Sequence, residues 1–221
     1  MSDRTPETPD TLPETTQDDP INPSRRKLTG TALGVSAVFT LASRPVWAGK
    51  QCFSPSGFQS GNLSHHGTPI TCSGKSPGYW KQHPEVWLGL TSLEPGTCAS
   101  ECNKTESWTG GTLFHPFFAG DNFMANLDGN STTPNTSLSM MQVMQMNDGS
   151  NPWGLTDTAN LGSHIVAALL NARAGYTDDV LDETAVIGMW NEWESNGYFE
   201  PTAGVQWGAA QIVTYIISTF G

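Results

Sequence analysis

The chain has 221 residues, with 10 Lys and Arg against 21 Asp and Glu and a formal net charge of −11. An acidic excess of this size disfavours nucleic acids and anionic membrane surfaces as partners. The length leaves room for a leader and one domain of ordinary size.

Residues 1–48 read as a leader. Met1 to Pro23 is rich in Pro, Thr, Asp and Glu and poor in large apolar residues. Such a stretch buries too little surface to offset the entropy of ordering, so disorder is expected. Ser24-Arg25-Arg26-Lys27-Leu28 follows and matches the twin-arginine export consensus. The apolar run from Leu28 to Ala42 is diluted by Thr29, Gly30, Thr31, Gly34, Ser36 and Thr40. A membrane span needs about 20 mostly apolar residues, and this run suits a signal peptide instead. Val46-Trp47-Ala48 places small residues where a signal peptidase reads them, with cleavage expected after Ala48. Arg25 and Arg26 are thus the expected recognition pair, and the export machinery is the expected first partner. Five of the 10 bases and six of the 21 acids precede Gly49, which leaves 5 bases against 15 acids. No second apolar run is long enough to span a membrane.

Cys52, Cys72, Cys98 and Cys102 all follow the expected cleavage site. An even number of cysteines in an exported chain reads as two disulfides, with three possible pairings. A four-thiolate metal site is the rival, but only Cys98 and Cys102 have the tight spacing such sites prefer.

The segment 49–136 is dense in Gly, Ser, Thr, Asn and Pro, which is turn chemistry. Within it, His83 to Leu88 predicts a short helix, with Pro84 at its first position and Gly89 as its stop. The segment 137–221 is expected to be helical. Leu138, Met141, Val143, Met144 and Met146 form a stripe that reads as core filling rather than a soft-metal site. Thr156 or Asp157 can cap a helix to about Ala174, stopped by Gly175. Thr177 or Asp178 can cap the next, with Asp178, Asp179, Asp182 and Glu183 in its first turns and Asn196-Gly197 at its end. Thr202 is expected to open a last helix carrying Val205, Ala209, Ile212, Ile216 and Phe220. The predicted fold is mainly α: a bundle of three to five helices, wrapped by a long, irregular, disulfide-stapled N-terminal half as one domain.

Two segments carry a resemblance. Cys72 to Trp87 contains Gly78-Tyr79-Trp80-Lys81-Gln82-His83-Pro84-Glu85-Val86-Trp87. This resembles the Gly-Tyr-Trp-Lys-Asn-His-Pro-Glu-x-Trp motif of a group of secreted and cell-surface bacterial proteins. Leu161 to Ala172 resembles the later Ala/Leu-rich helix of the same group, which ends in Asn. Here Gln82 replaces the motif's Asn, and the later helix has one extra residue before Asn171. The resemblance implies an exported module and carries over no catalytic residue. In its own right the first segment reads as architecture, with Tyr79, Trp80 and Trp87 as a packing centre whose polar tips need partners.

His83 and His164 are the most notable titratable pair. With Asp157 they could form a metal site if their helices met, although no HxxxH, HxH or HExxH spacing supports one. His65-His66 reads as an exposed loop pair. Glu192 and Glu194 flank Trp193, but two residues apart on a helix they face different ways. Asp128-Gly129-Asn130 and Asn147 to Asn151 read as turns rather than calcium loops. Neither a nucleophile elbow nor a phosphate or dinucleotide loop occurs, and no cofactor motif identifies a ligand. The leading expectation is a non-enzymatic exported module of the periplasm, cell surface or exterior. The alternatives are a metal-dependent protein or enzyme using His83 and His164, and a glycan binder using exposed Trp108, Trp153 or Trp207.

Overall fold

A computed structural model describes residues 51–61, 70–120, 138–147, 155 and 157–221. The leader, with Arg25, Arg26 and Ala48, lies outside the described residues. So do His65-His66, Asp128-Gly129-Asn130, Trp153 and Thr156.

Serine starts three of the helices. Ser54 and Ser76 each precede a proline, and each hydroxyl accepts a backbone N–H three residues on, from Gly57 and Tyr79. The proline N1 position sacrifices no hydrogen bond, and the serine satisfies an orphan donor. These caps open α1 (Pro55–Ser60) and α2 (Pro77–Gln82). Pro84 then disfavours helical geometry at His83. The chain kinks there, at φ −123°, before a 3-10 turn at Pro84–Val86 and α3 (Trp87–Thr91). The expected stop at Gly89 is not used. Thr91 Oγ1 donates to the Trp87 carbonyl and accepts from the Leu93 N–H, and the helix ends one residue on at left-handed Ser92.

Two short strands follow, β1 (Thr97–Cys98) and β2 (Trp108–Thr109), paired antiparallel with Cys98 opposite Trp108. α4 (Met140–Gln145) opens on a reciprocal capping box between Ser139 and Gln142. Its Met140, Met141, Val143 and Met144 are buried, as is the adjacent Met146, so the stripe fills core. α5 (Leu161–Arg173) and α6 (Glu183–Asn196) follow. Residues 177–182 are not the start of α6 as expected. The Thr177 hydroxyl donates to the Leu181 carbonyl and holds a turn, and α6 begins after Asp182, whose side chain accepts from the Ala185 N–H. Gly197 ends it in the left-handed region, as expected.

Nor does Thr202 open a helix. Phe199–Thr202 (β3) and Val205–Trp207 (β4) form a hairpin, turned at Gly204 with φ +79°. The reason is tertiary: the Trp207 ring packs on Phe58, Phe199 and Tyr215, and its indole donates to Gln59. α7 (Ala209–Ser218) follows, with Ile212 and Ile216 buried. The described residues thus hold seven α-helices and four short strands, mostly α.

α5 is the axis of this arrangement. Eleven of its 13 residues are buried, which leaves only His164 and Arg173 partly exposed. A helix apolar on all sides belongs inside, and α2, α3, α4, α6 and α7 all pack against it. Its polar Asn171, fully buried, is the junction between the two halves. Asn171 Oδ1 accepts from the Lys75 N–H (2.7 Å) and the Trp80 indole (3.1 Å), and Nδ2 donates to the Lys75 carbonyl (2.9 Å). The Trp87 indole donates in turn to the Trp80 carbonyl. Gly74 sits against this side chain, where an added Cβ would lie 2.8 Å from the Thr219 carbonyl oxygen.

The cysteines pair as Cys52–Cys72 and Cys98–Cys102, and none is free. The four-thiolate alternative is thereby excluded. Among the described residues no helix is long and apolar enough to cross a membrane.

Candidate functional site

The sequence-predicted ligands are occupied elsewhere. Asp157 is buried just before α5, and its two carboxylate oxygens accept the Gly162 (2.8 Å) and Ser163 (3.0 Å) N–H groups. It therefore satisfies the helix start from a distance, whereas the N-cap position itself belongs to left-handed Asn160. Burial raises its pKa to about 6, against the lowering effect of these N–H bonds. His164 points its Nδ1 at the Asn160 carbonyl (2.8 Å) and stacks on Phe220. Burial holds its pKa below the ordinary histidine value; the Asn160 bond opposes this, and the Lys81 charge adds to it. His83 lies over Tyr79 and contacts Glu85 Oε1 at 3.1 Å. Among the described residues no three His, Cys, Asp or Glu side chains are grouped as metal ligands.

The acids beside Trp193 also diverge. Glu192 accepts the Glu200 N–H of the hairpin, whereas Glu194 lies against Gly120, where a side chain would collide with it. Trp108 and Trp207 are buried, so neither is an exposed platform for a sugar ring.

The structure instead shows a cleft of about 820 Å³ between the aromatic motif and the Cys98–Cys102 ring. Lys81, Gln82 and Glu85 line it from α2 and the turn after it; Asn103, Trp108 and Gln145 line it opposite. Each wall is fixed from below. The motif side is anchored through Trp80 and Trp87, both fully buried, to α5. On the ring side, the Cys102 carbonyl accepts from the Trp108 indole and from Gln145 Nε2, both at 3.0 Å. Gln142 Nε2 holds the Trp108 carbonyl from α4.

Chemically, the cleft offers amides and one charge of each sign. The Glu85 carboxyl is held below its ordinary pKa by its own backbone N–H and by His83, so it is an anion across the neutral range. Lys81 is half-buried, and Gln82 and Asn103 are exposed. The sequence displayed three of these residues inside the motif but gave no sign that they line a space. Gln145 carried no signal at all, because its neighbours are distant in the chain.

Comparison with family models, with curated proteins and with solved structures returns no match.

Proposed function

We propose that the chain is an exported, non-enzymatic module that binds a neutral polar ligand in the cleft between its aromatic motif and the Cys98–Cys102 ring. The twin-arginine leader, with Arg25 and Arg26 as recognition pair and cleavage after Ala48, supplies export. Two disulfides suit an oxidising compartment outside the cytoplasm. The resemblance of Gly78 to Trp87 to secreted and cell-surface bacterial proteins agrees with that destination.

The observation that carries the binding reading is the composition of the cleft on its rigid base. Binding sites are concave, with a few polar groups that fix orientation. Here Lys81 and Glu85 cancel in charge, and Gln82 and Asn103 offer amides that can both donate and accept. Such a lining favours hydroxyl- and amide-bearing ligands over ions. Glu85, ionised and exposed, is an orienting acceptor rather than a proton donor.

The binding test uses soluble neutral oligosaccharides and blocked dipeptides as probes, followed by NMR of the backbone amides. Shifts should centre on Lys81, Gln82, Glu85 and Asn103, and Gln82→Ala/Asn103→Ala should weaken them. Shifts confined to other surfaces would refute the assignment. The export arm is separate: Arg25→Lys/Arg26→Lys should retain the precursor in the cytoplasm, and mature protein should begin at Gly49. Unchanged export would exclude the route.

A further inference from the structure

The two disulfides differ in a way that points beyond staple duty. Cys52 and Cys72 are 4% and 5% exposed, and Cys72 Sγ lies 3.3 Å from the Ser218 carbonyl of α7. Cys102 is exposed and Cys98 half-buried, with Cys98 Sγ 3.5 Å from the Ser100 carbonyl. The second ring is also small, spanning a sequence separation of 4. Inside it Glu101 sits at φ +43°, in the left-handed region that a residue with a Cβ seldom adopts. The ring thus holds a strained backbone at the surface.

What the ring touches gives the strain a consequence. Cys98 pairs with Trp108 across the β1–β2 ladder, and Ala99 N–H donates to the Ser107 carbonyl. The Cys102 carbonyl takes both the Trp108 indole and the Gln145 amide. One wall of the cleft therefore hangs on the position of Cys102, which the disulfide fixes relative to Cys98.

We infer that Cys98–Cys102 is a thiol–disulfide exchange site, reduced by a dithiol oxidoreductase, and that its redox state sets the shape of the cleft. A thiolate of the reductant attacks the sulfur of Cys102, the more exposed of the two residues, and the sulfur–sulfur electron pair departs on Cys98, which takes up a proton. The reductant's second thiolate then attacks its own sulfur in the mixed disulfide, and Cys102 leaves and is protonated. Two electrons and two protons pass to the protein, and the reductant becomes a disulfide. Glu101 is then held in the left-handed region by Lys104 alone, and the Cys102 carbonyl is no longer tied through the disulfide to the position it keeps beneath Trp108 and Gln145. Cys52–Cys72, closed off from solvent, does not exchange while the chain is folded.

The test needs no cleft ligand, so it can fail independently of the binding reading. The folded chain is titrated with dithiothreitol and, separately, with a reduced thioredoxin-type dithiol protein. Free thiols are then alkylated and located by mass spectrometry. Cys98 and Cys102 should be alkylated together at a dithiothreitol concentration roughly tenfold below that needed for Cys52 and Cys72. The Trp108 indole N–H resonance should move in step, and Cys98→Ser/Cys102→Ser should reproduce its reduced position. Simultaneous reduction of both pairs would overturn the exchange site. Selective reduction with an unmoved indole resonance would overturn its link to the cleft. Alkylation mapping requires no variant, so the first outcome stands even if the double serine chain folds poorly.

Discussion

Two rings of covalent bonds, made by the same chemistry, sit in opposite surroundings. Cys52–Cys72 closes a loop of separation 20, buried beside α7 and the Gly74 segment that meets Asn171. Cys98–Cys102 closes a ring of separation 4 at the edge of the cleft. A cross-link stabilises mainly by restricting the unfolded chain, and more so for the longer loop. The buried ring therefore belongs to the stability of the fold, and the exposed one to the local shape of a surface. That contrast extends to the regions around them: one meets the Asn171 network, the other a surface wall in which the Cys102 carbonyl takes both the Trp108 indole and the Gln145 amide.

The sharpest way to probe the buried side is Asn171→Ala. It removes the partner of the buried Trp80 indole and of the half-buried Lys75 N–H and carbonyl. A cost of about 4 kcal/mol is expected in denaturant unfolding, from several unsatisfied groups at once. Cys52→Ser/Cys72→Ser should cost about 3 kcal/mol by the same measurement.

Asp157 probes the other end of α5 through pH. Its folded pKa, about 6, lies above the ordinary 3.8, so the native chain holds this proton more tightly than the unfolded one. Its contribution is therefore present below 3.8 and is lost as pH rises to about 6, a change of about 2–3 kcal/mol. Unfolding followed across that range should show the slope in the native chain and a flatter line in Asp157→Asn. Cys98→Ser/Cys102→Ser should have the smallest effect, about 2 kcal/mol or less. If it matched the buried pair in cost, the contrast between the rings would fail.

The sequence made some of this visible, and the limits are physical. Helix ends written in local chemistry were legible: Gly197 stops α6, where its left-handed φ requires glycine or a rare substitute. Pro84 reads in the sequence as the first position of a short helix, and it opens the 3-10 turn before α3, but nothing local shows that it divides α3 from an earlier helix, α2. Thr91 out-competed Gly89 as a stop because its hydroxyl reached two backbone groups at once. The β3–β4 hairpin was hidden because Val205, Ala209, Ile212 and Ile216 fit a helical period. The fate of Trp207 was settled by Phe58 and Tyr215, far off in the chain. Counting cysteines gives two disulfides, but the pairing as Cys52–Cys72 and Cys98–Cys102 comes only from the structure. His83, His164 and Asp157 stand out in the sequence for their chemistry, yet each is engaged by near neighbours. The cleft arises from segments that only tertiary structure brings together.

The Asn171 junction also has a meaning in time. Lys75 and Trp80 precede it by 96 and 91 residues. During synthesis the aromatic motif leaves the ribosome long before the side chain that receives it. Contacts of such separation form late, after a large loop has been closed. Until α5 emerges, Trp80 and Trp87 lack the interior that buries them in the folded chain, and their apolar surface stays open. Emergence of Asn171 is therefore the earliest moment at which the motif can take up its buried place.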